Sequence, residues 1–203
     1  MAASKITLEK VLPWMLVIVG IVGIVASIVI TNDKFDLAAN PAFRPNCDLN
    51  PVVSCGSVMA SPQAHAFGVM NPYVGLIGFP VLVTIGMALF AGARFKRWFW
   101  LGMQAGLTFG IIFAYWLLYE SVYAIHALCP YCLSVDLVLT IMFWYGLLYI
   151  VGKGYLPLPK KGIWQKLAAA ARAHHLDILI LWFLIVIFFI FKHFWYYFGS
   201  HLF

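Results

Sequence analysis

The sequence predicts an all-α integral membrane protein with five transmembrane helices. Three observations carry this. Hydrophobic residues fill 64% of the 203 positions and charged residues only 10%, against roughly half and about a quarter in soluble domains. The apolar residues fall into five separate runs, at 11–30, 73–92, 98–119, 133–152 and 176–195, each close to the ~20 residues that cross a hydrocarbon core. Lys and Arg then sort by side. Lys5, Lys10, Arg94, Lys96, Arg97, Lys153, Lys160, Lys161, Lys166 and Arg172 fall with the N-terminus, and only Lys34, Arg44 and Lys192 fall opposite. The basic side is the cytoplasmic one, so the N-terminus is cytoplasmic and the C-terminus outside. The net charge of +6 is therefore a topology signal and needs no nucleic-acid partner.

Taken in order, the first run is too long for the apolar core of a signal peptide and lacks a small-residue cleavage site after Ile28-Val29-Ile30, so it reads as a retained anchor. Residues 31–72 form one long outer loop that begins with a polar exit, Thr31-Asn32-Asp33-Lys34. Loops of that length are more often functional than passive. Its second half, 58–67, is expected to lie at the interface as a short helix roofing the bundle. Asn71-Pro72 opens the second span, since proline suits the first turn of a helix. Between the fourth and fifth spans, Lys160-Lys161-Gly162-Ile163-Trp164-Gln165-Lys166-Leu167 followed by 168–171 and Arg172 reads as a basic helix on the inner membrane surface.

Cys47 and Cys55 stand in the outer loop and Cys129 and Cys132 just before the fourth span, so all four face the outer compartment, where disulfides persist. The loop pair suits a structural disulfide that restrains a floppy segment as well as it suits redox chemistry. Cys129-Pro130-Tyr131-Cys132 does not: a ring that small constrains little, and the first turn of a helix favours a thiolate. A four-cysteine zinc site is disfavoured because seven residues between Cys47 and Cys55 is not a ligand spacing, and no metal is assigned. Thiol–disulfide exchange requires one sulfur to reach another, so a mobile loop pair can relay electrons between a water-borne partner and a dithiol at the depth of a quinone headgroup.

Cys47-Asp48-Leu49-Asn50-Pro51-Val52-Val53-Ser54-Cys55, Ser61, Asn71 with Gly75, and Cys129-Pro130-Tyr131-Cys132 resemble the vitamin K epoxide reductase (VKOR) family, and closely its bacterial, especially actinobacterial, members. The resemblance runs from about Val11 to Gly152. It implies a four-helix bundle around a quinone over residues 1–152, followed by the basic interfacial segment 153–175. The fifth transmembrane helix and tail at 176–203 are similar to the extra helix of bacterial members. It further implies a thiol–quinone oxidoreductase in the cell membrane, the counterpart of DsbB. A separate thioredoxin-fold partner similar to DsbA, expected because the chain ends at Phe203 without a fused domain, would attack a Cys47–Cys55 disulfide at Cys47. Freed Cys55 would attack Cys129 of a Cys129–Cys132 disulfide, and Cys132 would face menaquinone or ubiquinone. Ser61 and Asn71 would hydrogen-bond near the quinone, though both also suit helix starts, and Asp48 would order the loop or simply be solvated.

Asp136 departs from the animal enzymes, which carry a quinone-contacting tyrosine there. One turn below Cys132 on the same face, it is either a group that tunes Cys132 and passes protons or a first-turn acid facing water. His65, Glu120 and His126 are further outer-face proton donors to weigh against plain hydrated side chains. His174, His175 and His193 show no ligand spacing. Two other functions stay open: a vitamin K epoxide or quinone reductase proper, running the cysteines in the opposite direction, and a non-enzymatic membrane scaffold with two structural disulfides.

Overall fold

The computed structural model describes residues 8–40, 42–156, 162–195, 197 and 199; Lys5, Pro41, Lys160, Lys161 and Phe203 lie outside the described residues. Among the described residues are seven α-helices: α1 (Leu8–Ala39), α2 (Cys55–Ala60), α3 (Pro72–Phe90), α4 (Arg97–Glu120), α5 (Pro130–Gly152), α6 (Ile163–Ala173) and α7 (His175–His193). Five are long and apolar enough to cross a membrane: α1, α3, α5, α7, and α4 with the π turn Ser121–Ile125 that prolongs it. The all-α membrane fold expected from the sequence is thus the one observed.

α1 is the hub, packing along α3 on one side and α5 on the other, while α5 packs on α4. Lipid supplies no hydrophobic drive between helices, so close contact has to hold them, and small residues permit it. A Cβ on Gly20 of α1 would lie 2.5 Å from Val83 Cγ2 and 3.0 Å from the Phe79 carbonyl oxygen, and one on Gly23 would enter the Phe79 ring. Below this contact Leu16, Trp100, Met142 and Ile150 are buried in one cluster. At the end away from the cysteines, Glu9 of α1 pairs with Lys153 just beyond α5, and Arg97 Nε donates to the Tyr155 carbonyl at 2.7 Å.

Two boundaries differ from the sequence expectation. α1 does not stop near Ile30 but continues through Thr31-Asn32-Asp33-Lys34 to Ala39. The polar residues are accommodated within and beside the helix: Thr31 Oγ1 donates to the Ser27 carbonyl at 2.7 Å and Lys34 Nζ to the Met59 carbonyl at 3.1 Å. Ile30 and Leu37 meanwhile cover the cysteine cluster. Polarity marked where lipid contact ends, not where the helix ends. The expected roof helix at 58–67 is two pieces, α2 and a 3-10 turn over Pro62–His65, with Ser61 extended between them (φ −71°, ψ 153°). Pro62 disfavours a helical Ser61 and so breaks the segment.

α7 has no buried residue along its length, yet it is fastened at three heights by polar contacts. Trp144 Nε1 donates to the His175 carbonyl at 3.0 Å, Trp182 Nε1 donates to Tyr115 Oη at 2.6 Å, and His193 Nε2 lies 3.1 Å from His126 Nδ1. Such bonds serve as glue between membrane helices. The spacing of the histidines gave His193 no partner; the fold supplies one 67 residues away. α6 exposes Ile163, Trp164 and Leu167, the apolar face expected of an interfacial helix.

Gly23→Ala overpacks the α1–α3 seam and is expected to cost about 1–3 kcal/mol, read as a lower thermal unfolding midpoint in detergent. Gly102→Ala, where an added Cβ meets nothing within 4 Å, is the matched control and leaves the midpoint no lower.

Candidate functional site

The loop between the first two cysteines is ordered by its own polar groups. Asn50 Oδ1 accepts from the Val52 and Val53 N–H groups at 2.9 and 2.8 Å, an Asx turn. Asp48 Oδ1 accepts from the Gly56 N–H at 2.8 Å and from Ser54 Oγ at 3.1 Å, and Ser54 Oγ caps α2 by accepting from the Ser57 N–H at 3.2 Å. Asp48 is therefore a structural carboxylate that closes the ring, not a solvated one. Cys47 and Cys55 are joined as a disulfide across this ring, with Cα atoms 5.7 Å apart.

The second pair is built differently. The π turn ends in His126, which adopts a left-handed backbone (φ 57°), and Ala127 and Leu128 then run extended into Cys129. Leu128 N–H donates to the Val52 carbonyl at 2.7 Å and its carbonyl accepts from the Ser54 N–H at 3.0 Å, a short parallel bridge. This stitches the residue before Cys129 to the residue before Cys55. Cys47, Cys55 and Cys129 are accordingly buried in one cluster with Ile30 and Met59, and Cys132 packs on its edge. No sequence signal pointed to Val52 or Leu128.

Cys129 is the N-cap of α5, with Pro130 in the first turn, and its Sγ accepts from the Cys132 N–H at 3.4 Å. Both Cys129 and Cys132 are free thiols. The hydrogen bond from the Cys132 side chain, helped by the Cys132 and Tyr131 N–H groups, holds the Cys129 thiol below its ordinary range against the opposing effect of burial. Cys129 is thereby held toward its thiolate form.

Inward of the cysteines lies a cavity of ≈ 730 Å³. It fills the side of the bundle between α3 and α4, the one that the α3–α1–α5–α4 sequence of contacts leaves open. Its walls are almost wholly apolar, and its width comes from glycine: a Cβ on Gly78 of α3, or on Gly102 or Gly106 of α4, would meet nothing within 4 Å. Polar residues gather at the cysteine end, where Ser61, Asn71, Cys129, Cys132 and Asp136 all line it.

Each of these side chains has a defined state. Ser61 Oγ donates to the Val58 carbonyl at 2.7 Å. Asn71 makes no cap bond to α3; instead its Nδ2 donates to the Gln63 carbonyl at 2.7 Å and its Oδ1 accepts from the Ala66 N–H at 3.0 Å. Both amide ends thus grip the 3-10 turn, each with one hydrogen-bonding position to spare. α5 begins at Pro130, three residues before the apolar run, so Asp136 stands beyond the first turn, which holds no acid. The water-facing, dipole-favoured reading of Asp136 does not hold: it is half-buried against the cavity. Among the described residues no donor pairs with its carboxylate, although its backbone carbonyl accepts from Thr140 Oγ1 at 2.7 Å.

The remaining outer polar groups each have a partner other than a cysteine. His65 Nδ1 is 3.4 Å from Lys34 Nζ, Glu120 Oε2 accepts from Gln63 Nε2 at 3.1 Å, and His126 meets His193. His174 pairs with Asp177, and His175 Nδ1 meets Tyr145 Oη at 3.0 Å.

Two cysteine pairs, stitched together by backbone at the mouth of an apolar cavity in a membrane bundle, define a membrane redox protein. The family model described as the vitamin K epoxide reductase family matches residues 14–147, about two thirds of the chain, and the protein belongs to that family. Membership makes it an oxidoreductase, and the family in general uses quinone-type substrates. No curated protein matches the sequence.

Replacing Asp48 with Ala removes two hydrogen bonds that close the loop. The Cys47–Cys55 disulfide of that variant is expected to be reduced by dithiothreitol several-fold faster, as followed by thiol alkylation. Asp48→Asn, which keeps an acceptor oxygen, recovers most of the difference.

Proposed function

We propose that the protein is a thiol–quinone oxidoreductase that reoxidises a separate, DsbA-like thioredoxin-fold protein and so sustains disulfide formation outside the cytoplasm. The observation that carries this is the juxtaposition of a bonded loop pair with a reduced pair whose second cysteine lines an apolar cavity. Charge supports the sidedness: among the described residues Lys10, Arg94, Lys96, Arg97, Lys153, Lys166 and Arg172 group at the end opposite the cysteines, against Lys34, Arg44 and Lys192, so the cysteine end is the outer one.

A thiolate of the partner attacks Cys47, the Cys47–Cys55 bond breaks, and Cys55 leaves as thiolate. When the second pair is oxidised, Cys55 attacks Cys129, the Cys129–Cys132 bond breaks, and its electron pair stays on Cys132. The partner's second thiol releases Cys47 and departs oxidised, and Cys47 then displaces Cys129 from Cys55. The result is a loop disulfide beside two reduced cysteines, the same pairing found in the structure.

The cavity fits a quinone in size, since ligand pockets run to about 300–1,000 Å³, in its apolar walls, and in having polar groups at one end only. A quinone held there supplies a two-electron, two-proton acceptor. Cys129 and Cys132 give up the electrons as they return to a disulfide, with Cys132 against the cavity. Asn71 and Ser61 are placed to orient a ring oxygen. Asp136, an unpaired carboxylate in an apolar wall, holds or delivers a proton there, in keeping with the usual functional role of intramembrane acids. The opposite direction, vitamin K epoxide or quinone reduction, would use the same residues, and an epoxide offered to the reduced protein tests it in parallel.

With Cys55→Ala, Cys47 is expected to accumulate a mixed disulfide with an outer thioredoxin-fold protein. A short-chain quinone added to the reduced wild-type protein is expected to remove both alkylatable thiols of the second pair. No trapped partner and no thiol loss would sink this reading. In Asp136→Asn, quinone reduction is expected to fall by about 10²–10⁴-fold, the size typical of a lost general acid–base group, and to lose its pH dependence between about pH 5 and 8; an unchanged profile removes Asp136 from proton transfer.

A further inference from the structure

α7 ends where the two cysteine pairs are stitched together. Its last residue, His193, lies 3.1 Å through Nε2 from His126 Nδ1, with the two rings parallel to within 2°; His126 is the left-handed residue three positions before Cys129. The next residue, Phe194, is fully buried (0% exposed), although α7 itself has no fully buried residue and only one half-buried face. It packs in one cluster with Val52, Val122 and Leu128. Val52 and Leu128 are the two residues whose backbones share the 2.7 Å bond of the bridge. A helix with no fully buried residue of its own thus ends by placing a buried aromatic under the joint between the relay loop and the second cysteine pair.

We propose that α7 is a clamp on electron transfer between the cysteine pairs, with Phe194 and His193 as positioning residues that keep the relay loop docked so that Cys55 stays against Cys129. The inference rests on the relay described above. The step it governs is the attack of the Cys55 thiolate on Cys129: an S–S bond forms between them, the Cys129–Cys132 bond breaks, and Cys132 leaves with the electron pair. That step needs the attacking sulfur within bonding reach and nearly in line, and a bridge of two backbone hydrogen bonds needs packing beneath it to persist beside water. Phe194 reaches the cavity wall only through cluster neighbours such as Leu128 and Leu133; most of the rest of the wall comes from α1, α2, α3, α4 and α5, and Cys129 and Cys132 are held by the start of α5.

The full-length protein with Cys47→Ala and Cys132→Ala retains only Cys55 and Cys129. Treated with diamide, which takes the two electrons and two protons, it should form the Cys55–Cys129 disulfide, followed by alkylation and gel shift. Adding Phe194→Ala is expected to slow that reaction by about tenfold or more, and His193→Ala by less. Phe194→Leu, still apolar and bulky, should retain most of the rate. In a Cys47→Ala, Cys55→Ala background, dithiothreitol-driven reduction of a short-chain quinone by Cys129 and Cys132 should run at the same rate with and without Phe194→Ala.

Equal disulfide formation with and without Phe194→Ala overturns the clamp and leaves the relay standing. Absence of the Cys55–Cys129 disulfide even with Phe194 present overturns the relay itself. If Phe194→Ala also abolishes quinone reduction, His193→Ala decides: slowed coupling with normal quinone reduction supports the clamp, and unslowed coupling overturns it.

Discussion

The two backbone hydrogen bonds between Leu128 and the 52–54 segment are the constraint on which the rest of the outer end depends. A chain that leaves the membrane must find partners for its N–H and C=O groups, and here each redox segment satisfies the other. Leu128 gives its N–H to Val52 and its carbonyl to Ser54, so the loop cannot shift along its length without exposing both. From that joint α2 starts with Cys55 and α5 starts immediately after Cys129. Two cysteine pairs some 70 residues apart in sequence are thereby registered to each other by main chain.

How much of this was legible in the sequence follows from the range of each interaction. The five spans were readable because lipid imposes a length and a composition on each one separately. Which basic residues share one end of the bundle was readable because charge is counted, not folded. The four cysteines and Asp136 stood out by residue type, and the structure gathers the cysteines in one cluster and sets Asp136 in the cavity wall. Contacts made by ordinary residues were not: nothing marks Val52, Leu128 or Phe194 among dozens of similar apolar side chains, and only the assembled fold shows what they do. Errors at element ends have the same origin. Thr31 to Lys34 look like a helix exit, yet α1 carries on because Ser27, Met59 and the cysteine cluster offer those residues partners. Local polarity could not anticipate partners supplied by distant segments.

Polar groups inside the bundle fall into two populations. Tyr115 Oη lies 2.9 Å from Thr140 Oγ1 and accepts from Trp182 Nε1, and Thr140 Oγ1 donates to the Asp136 carbonyl. This chain links α7, α4 and α5 and ends on the backbone beneath the cysteines. Gln104 Nε2 donates to the Phe143 carbonyl at 3.3 Å and ties α4 to α5 deeper down. These groups face neighbouring helices and hold the scaffold. The Asp136 carboxylate, by contrast, is half-buried and faces the cavity with no donor. Burying a charge without a partner is expensive, and the contrast within one helix separates residues that hold the bundle from one available to something else.

Where Gly78, Gly102 and Gly106 face the cavity, its boundary is main chain. A wall of side chains can swing rotamers to admit a larger guest or close on a smaller one; a wall of helical backbone has no such freedom. Side chains such as Phe79, Met103 and Phe113 line other parts of it, so the cavity joins fixed stretches of helix backbone to stretches that can re-pack around a guest. A methyl added at one of those glycines, where nothing lies within 4 Å, would take up cavity space without pressing on the fold around it.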